Sequence, residues 1–232
     1  VQTGGATVRA GGAEVALQAG QRTTAVRTAR AAGTPAPAAP SMREFVRNGD
    51  FSDLQQAGSE LWPRGWVETP HGAGDGDALV TFRQVDGRSV PVILFKRRLA
   101  ATDYAAISIS QDVKLPLSHF RKLRLGVQFR VLYHSLAGGG LASSEYPVIV
   151  KLIYRDRQNV AHQWYRGFYT QNDDKLPTIN GKRLEPGEWH LFEQDLLRLD
   201  MSPAPVFIES IDVYAAGHDS EAEIASVSIE GE

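Results

Sequence analysis

The sequence contains no cysteine, and this absence removes several kinds of chemistry at once. Without a thiol, the chain has no disulfide, no cysteine nucleophile and no thiolate metal site. It also lacks any run of about 18 consecutive apolar residues, the length that a transmembrane helix requires. The missing cysteine identifies no cellular compartment, because many secreted bacterial proteins lack it as well.

A strong charge of one sign is also missing. The 27 acidic and 25 basic side chains leave a net charge of -2, so neither nucleic acid nor an anionic membrane is an expected partner. The chain starts at Val1 without a basic start and an apolar core. This is typical of an excised or processed fragment, and a membrane anchor upstream is compatible with it.

What the sequence does have is enough apolar and aromatic material for a large core. Hydrophobic residues make up 42% of the 232 residues, with nine Phe, seven Tyr and four Trp. Three segments differ in texture. Residues 1–29 alternate around Gly-Gly and Ala-Gly turns and predict a short β segment, residues 30–44 are rich in Ala and Pro and predict a linker, and residues 45–232 form the main domain.

The main domain consists of short alternating segments separated by Gly, Pro, Asn and Asp. In "KLRLGVQFRVLYH", for example, apolar side chains occupy every second position, which indicates a strand with one buried face. The candidate strands are residues 78–84, 90–96, 105–113, 122–133, 147–155, 160–169, 189–196, 206–214 and 223–229. We therefore predict an all-β fold, an antiparallel β-sandwich of jelly-roll type with a short N-terminal β appendage.

The segment "NGDFSDLQQAGSELWPRGW" places two tryptophans around a Pro-Arg-Gly turn. Exposed tryptophans there would form a platform on which sugar rings stack, whereas buried ones would close the end of the sandwich. We favour the second alternative, with Phe51 packed inward and with Trp62 and Trp66 buried. Trp189, at the start of a later strand, is also predicted to lie in the core.

Polar side chains opposite the predicted core positions define a candidate ligand-binding face. Its proposed members are Gln128, Arg130, Lys151, Gln163 and Tyr165, with Asn172 and Asp173 contributed by the long loop "TQNDDKLPTINGKRLEPGE". A tyrosine ring beside amides and charges suits a glycan, whose sugars combine apolar C–H faces with hydroxyls. The alternative is an ordinary solvated face, and alternation alone does not decide which half of 160–169 points inward.

Several motifs, taken in order, extend this interpretation. "NGDF", "PRGW", "ISISQDVKLP", "GEWHLFEQDL" and "AEIASVSIEG" together resemble the galactose-binding-like jelly rolls, in particular the carbohydrate-binding modules appended to bacterial glycoside hydrolases. The resemblance covers residues 45–232. It implies a jelly roll that binds a polysaccharide.

The N-terminal "VRAGGAEVALQAGQRTT" resembles the last strands of a FecR-type domain, a periplasmic or cell-surface sensory segment. This resemblance implies a modular bacterial protein and an extracytoplasmic location, which can be periplasmic, cell-surface or secreted.

The resemblance of residues 45–232 to carbohydrate-binding modules also implies a structural calcium, but the residues of this chain depart from that family's calcium-binding pattern. In the family, acidic residues follow the opening Asn-Gly-x-Phe and lie in the final strand, whereas this chain has Ser52 and the stretch Ile224 to Val227 there. Calcium requires about 6–8 oxygen ligands. Asp50, Asp53 and Asp212 are the remaining candidates, and we expect no cofactor.

No catalytic motif is present in the sequence: it has no Gly-x-Ser-x-Gly elbow, no His-Glu-x-x-His and no P-loop. The first hypothesis is therefore a non-catalytic module that binds a glycan or cell-wall polysaccharide. The alternative is a structural or protein-interaction sandwich in a FecR-like bacterial surface signalling protein, with a cell-surface protein as partner and no small ligand.

Overall fold

The computed structural model describes residues 6–10, 13–17, 21–22, 36–37, 42–72, 76–97, 104–199 and 201–232. The chain divides into two compact units, Val1–Met42 with Glu232, and Arg43–Gly231. Within the described ranges, no helix is long and apolar enough to cross a membrane.

The N-terminal unit contains short strands. β1 (Ala6–Ala10) and β2 (Ala13–Leu17) pair as an antiparallel hairpin with Val8 opposite Val15. β3 (Gln21–Arg22) pairs with β4 (Ala36–Pro37). β4 therefore lies in the segment of residues 30–44 predicted as a linker. Most of that segment lies outside the described residues, and its assignment stays a prediction.

The second unit is built from strands, with one short 3-10 turn at Leu117–His119 and no α-helix among the residues that the structure describes. Its strands are β5 (Arg43–Glu44), β6 (Leu54–Ala57), β7 (Glu60–Pro63), β8 (Val67–Gly72), β9 (Asp77–Val85), β10 (Arg88–Arg97), β11 (Ala105–Pro116), β12 (Leu123–His134), β13 (Val148–Arg155), β14 (Ala161–Tyr169), β15 (Gly181–Arg183), β16 (His190–Asp195), β17 (Phe207–Gly217) and β18 (Ser220–Gly231). All nine predicted strands are present within a few residues of their predicted bounds.

These strands form two large sheets. The first sheet has the order β16-β12-β18-β10-β9, with β5 also paired to β18, and the second has the order β15-β14-β13-β17-β11-β8. Neighbouring strands are antiparallel throughout both sheets except for β14 and β15, which are parallel. The predicted all-β antiparallel sandwich of jelly-roll type is confirmed.

Alternation explains why the two sheets pack face to face. In β12 every second side chain from Leu123 to Val131 is buried, and in β13 the same holds from Val148 to Leu152. The two apolar faces meet in one core, where the rings of Phe129 and Phe168 lie 4.6 Å apart between centroids. Each fully buried side chain of this size contributes about 1.5–3 kcal/mol through removal of apolar surface from water.

The segment of residues 48–66, which we call the opening corner, closes one part of this core. Phe51 is fully buried and its ring meets that of Trp66 edge to face, with centroids 5.5 Å apart. The indole N–H of Trp66 donates to the carbonyl oxygen of Asn48 at 3.0 Å, and that of Trp62 donates to the carbonyl oxygen of Trp66 at 2.9 Å. Both tryptophans are buried, so the predicted packing role is confirmed and they offer no sugar platform.

Trp189 differs from its predicted role in the core. It is only half-buried, and it packs against Val85, Val92 and Ala225 in a separate small cluster. Val92 alternates with the core residue Ile93, so this cluster lies on the outer face of the first sheet.

The opening corner leaves no room for a side chain at Gly49. Its carbonyl oxygen accepts the N–H of Val227 at 2.8 Å, and a Cβ at Gly49 would collide with the backbone of Val227. We expect Gly49→Ala to lower the free energy of unfolding by about 2 kcal/mol or more, because the backbone of β18 must move away. Urea denaturation followed by circular dichroism measures this.

Gly76→Ala is the matched control for that substitution. A Cβ at Gly76 would meet only the side chain of Ile107, at 3.8 Å, which is ordinary contact. Its unfolding midpoint should stay close to that of the parent protein. Equal midpoints for the two variants would contradict the close approach at the opening corner.

Candidate functional site

The outer face of the second sheet carries a group of tyrosines around an ion pair. Because Val150 and Leu152 point into the core, Lys151 between them points outward. The register places Lys151 directly opposite Tyr165 of β14 on one side and Asp212 of β17 on the other. Tyr214 lies two residues beyond Asp212 on the same side of β17. We call Tyr104, Lys151, Tyr165, Asp212 and Tyr214 the tyrosine face.

The centre of the tyrosine face is charged but electrically balanced. Lys151 Nζ lies 2.6 Å from Asp212 Oδ2 and 5.1 Å from the ring centroid of Tyr214. The side chains of Lys151 and Asp212 are only 23% and 15% exposed. The ammonium group is therefore held by a carboxylate and by the negative face of an aromatic ring, and both interactions orient it.

The phenols of this face interact with one another. Burial raises the pKa of Tyr214, and the nearby groups of Tyr104, Tyr165 and Asp212 raise it further. Burial, followed by the charge of Glu145, raises the pKa of Tyr104, although that side chain is 49% exposed. These hydroxyls consequently remain protonated at neutral pH and can both donate and accept hydrogen bonds.

A buried tyrosine supports one end of the face. Tyr146 is fully buried, its hydroxyl donates to the carbonyl oxygen of Ile179 at 2.9 Å, and its ring centroid lies 6.1 Å from that of Tyr169. A Cβ at Gly139, Gly167 or Gly181 would collide with the Tyr146 ring. The ring thus fills a space that only glycine backbone leaves open, and the loop of residues 135–147 is fixed against β14 and the loop of residues 170–180.

The same two loops are joined by a histidine. His134 Nε2 accepts the backbone N–H groups of Thr170 at 2.9 Å and Gln171 at 3.2 Å. The side-chain amide of Gln171 donates in return to the carbonyl oxygen of Leu136, and Gly138 donates its N–H to the carbonyl oxygen of Gln171. The loops therefore hold each other in place beside the tyrosine face.

The structure brings together only part of the predicted ligand-binding face. Lys151, Gln163 and Tyr165 share the outer face of the second sheet. Gln128 and Arg130 lie on β12, which belongs to the first sheet, so the prediction of a single face containing all five is wrong. Alternation shows which side of a strand is buried, but not which sheet the strand joins.

The two loop candidates have different environments. The amide of Asn172 is occupied, because its Nδ2 donates to the carbonyl oxygen of Leu176 and its Oδ1 accepts the N–H of Leu176, both at 2.9 Å. Asn172 therefore closes its own loop. Asp173 is exposed, and its backbone N–H donates to Gln171 Oε1 at 3.4 Å.

The three calcium candidates do not come together. Asp50 Oδ1 accepts the backbone N–H and hydroxyl of Ser52, and Asp53 pairs with Arg64 at 3.2 Å, both in the opening corner. Asp212 lies on the tyrosine face and pairs with Lys151. Over the described ranges, no group of three His, Cys, Asp or Glu side chains is placed to hold a metal ion.

Sequence reasoning missed Tyr104 and Tyr214. The signal was present for Tyr214, because Asp212 and Tyr214 alternate with Ile211 and Val213 in the predicted strand 206–214. Their shared side could therefore have been identified. Their proximity to Lys151 follows only from the pairing of β13 with β17.

Comparison with known proteins supports the fold. No protein-family model matches the chain, and no curated protein has a matching sequence. The enzymatically active domain of tailspike protein 4 of bacteriophage CBA120 is structurally similar, with a TM-score of 0.51 and 10% identity over 80% of this chain. This chain spans 21% of that chain, and at this identity the likeness shows a shared fold.

Two carbohydrate-binding modules are also structurally similar, at lower TM-scores. TmCBM61, solved with β-1,4-galactotriose, has a TM-score of 0.43 and 15% identity over 82% of this chain and 99% of its own. The family 11 module of the cellulosomal cellulase Lic26A-Cel5E of Clostridium thermocellum has a TM-score of 0.43 and 10% identity over 84% of this chain and 97% of its own.

The histidine between the loops makes the stability of the fold depend on pH. Burial lowers the pKa of His134 from 6.5 to about 4, so the folded chain binds fewer protons than the unfolded chain between these values. This contribution is fully present above pH 6.5 and is lost as the pH falls towards 4. Between pH 7 and pH 5 we expect a loss of about 2 kcal/mol from this residue.

Urea denaturation at both pH values tests this effect. His134→Gln should reduce the difference in unfolding free energy between the two pH values by that amount, because the titrating group is gone. An imidazole titration of the parent protein by NMR should place His134 well below the usual range. An unchanged pH dependence in the variant would contradict the role assigned to His134.

Proposed function

We propose that this chain is a non-catalytic module that binds a glycan or cell-wall polysaccharide on the tyrosine face. One observation carries this proposal: Tyr165 and Tyr214 flank the Lys151–Asp212 ion pair on an outer sheet face, and Tyr104 lies near Tyr214. Aromatic rings beside balanced charges match the two kinds of surface that a sugar presents.

The geometry of the sheet suits an extended ligand. Tyr165 and Tyr214 lie on β14 and β17, which are separated by β13. At about 4.8 Å per strand, their backbones are about 10 Å apart across the sheet. A ligand that contacts both rings is therefore longer than one sugar ring, and it passes over the Lys151–Asp212 pair, which can bind its hydroxyls. Gln163 extends the same face on β14.

A binding role fits this face better than glycoside hydrolysis. Hydrolysis of a glycosidic bond uses two carboxyl groups on either side of the bond. The carboxylate at the centre of the tyrosine face, that of Asp212, is paired with Lys151 at 2.6 Å and is therefore not free to act as a nucleophile or a base. The proposed role is therefore recognition without catalysis.

The setting of the module belongs to the same proposal. The FecR-like character of residues 1–29 and the Ala/Pro-rich linker of residues 30–44 support an extracytoplasmic bacterial protein in which the sandwich of residues 45–232 contacts a polysaccharide.

A glycan array probed with the full chain, with and without calcium, tests the proposal, and titration calorimetry quantifies each hit. We expect Tyr165→Ala to weaken binding by at least about 1 kcal/mol, roughly five-fold, because stacking area is lost. Tyr133→Ala is the matched control: Tyr133 is exposed on β12 of the other sheet, and its removal should leave affinity unchanged.

Circular dichroism of each variant separates lost binding from lost folding. Unchanged affinity in a folded Tyr165→Ala protein would remove the tyrosine face as the site. Failure to bind any plant, bacterial or animal glycan would instead favour a protein-interaction sandwich, the alternative function for this fold.

A further inference from the structure

A groove lies on the outer face of the first sheet, which is not the sheet that carries the tyrosine face. It has two adjoining open compartments of about 350 and 340 Å³, which share Asp50 and Ser226 as lining residues. The first compartment lies between the β9–β10 turn and the opening corner, and the second continues past Gly49 towards Ser228. Each lies within the range of about 300–1,000 Å³ typical of small-molecule sites.

The apolar part of the first compartment is held in place without a ligand. Val85, Val90 and Ala225 line it and pack with Trp189 in the small outer cluster. The Arg130 guanidinium carbon lies 4.6 Å from the centroid of the Trp189 ring. The surface that a ligand would meet is therefore braced by an aromatic ring and a charge.

A buried carboxylate, that of Glu223, holds Arg130 in its position over the Trp189 ring. Glu223 is fully buried, and its two oxygens accept from Arg83 Nε and Arg130 Nε, each at 2.6 Å. Arg83 lies on β9 and Arg130 on β12, so Glu223 of β18 ties together strands on both sides of the groove floor. A site whose walls are already ordered loses little entropy when a ligand binds.

The polar part of the groove presents unused hydrogen-bonding groups. Asp50 uses Oδ1 for Ser52 and has no other partner among the described residues. Gln128 reaches Asp86 only at 3.5 Å, the limit of a hydrogen bond, so its amide is nearly free to bind another group. Ser89 and Ser226 line the same compartment.

The charge balance of the groove identifies the class of ligand. Glu44, Asp50 and Asp86 contribute three carboxylates against the single guanidinium of Arg88. An anionic ligand, such as a uronic acid or phosphate, would be repelled. Carboxylates, amides and hydroxyls above a small aliphatic surface suit a neutral polyhydroxylated molecule, whose hydroxyls donate to the acids.

We propose that this groove is a second saccharide site, which binds a short neutral oligosaccharide with one unit in each compartment and Asp50 and Ser226 between them. Gln128 and Asp86 bind hydroxyls in the first compartment, and Asp50 does so at the junction. The site is independent of the tyrosine face, because the two lie on different sheets. A protein with both sites holds two glycan strands, or two points of one strand, and gains avidity from the second contact.

NMR titration of the isotopically labelled full chain with cellobiose, xylobiose, lactose and calcium chloride, each alone, tests this proposal. We expect at least one disaccharide to shift the amide signals of Asp86, Gln128 and Ser226 with saturation. Gln128→Ala should weaken binding at the groove at least five-fold and leave shifts at Tyr165 and Tyr214 unchanged. Gln84→Ala, an exposed glutamine on β9 outside the groove, is the matched control and should bind as the parent does.

The outcomes separate this site from the tyrosine face. Groove shifts that persist in Tyr165→Ala support the groove as a site of its own, whether or not the tyrosine face binds. Absence of groove shifts with every disaccharide would overturn the proposal, and so would a groove response to calcium alone. Shifts confined to the tyrosine face would overturn this inference while supporting the proposed function.

Discussion

The constraint on which the structure depends is that each strand of the sandwich has one side committed to the core. Side chains from Leu123 to Val131 in β12 and from Val148 to Leu152 in β13 meet between the sheets, and their burial supplies most of the driving force for folding. The remaining side of each strand faces outward. The side chains that remain exposed are therefore those of the two outer faces and of the loops that frame them.

The charged side chains of the two outer faces are neutralised in different ways. On the second sheet, Lys151 and Asp212 neutralise each other in a partly buried position beside the phenols of the tyrosine face. On the first sheet, Glu223 is buried beneath Arg83 and Arg130, and the guanidinium of Arg130 lies over Trp189. The first ion pair lies among the tyrosines of an outer face, whereas the second network has its carboxylate fully buried and supports the sheet from within. A count of charged residues in the sequence does not distinguish them.

Sequence reasoning reached the fold but only part of the site, for a physical reason. The period of two is a local property, so the nine main strands and the outward direction of Lys151 could be predicted from neighbouring residues. In residues 160–169 both alternate sets carry aromatic side chains, so the outward direction of Tyr165 could not be predicted in this way. Which strand pairs with which depends on the whole topology. Gln128 and Arg130 point outward as expected, yet they belong to the other sheet.

The strands that were not predicted also depend on pairing with distant or neighbouring strands, which a local pattern does not reveal. β6, β7 and β8 are short and rich in polar residues and proline, and they form by pairing with neighbours rather than through their own alternation. The partial burial of Trp189 likewise depends on a cluster assembled from strands far apart in the sequence.

Tyr146 has a consequence for how this protein can change during evolution. Its ring is enclosed by Gly139 of one loop and by Gly167 and Gly181 of β14 and β15, and its hydroxyl donates to the carbonyl oxygen of Ile179 in the second loop. The bases of both loops are thereby fixed, while a tip residue such as Leu141 is 84% exposed. Insertions and substitutions at the tips should therefore accumulate across descendants of this chain without altering the sheet.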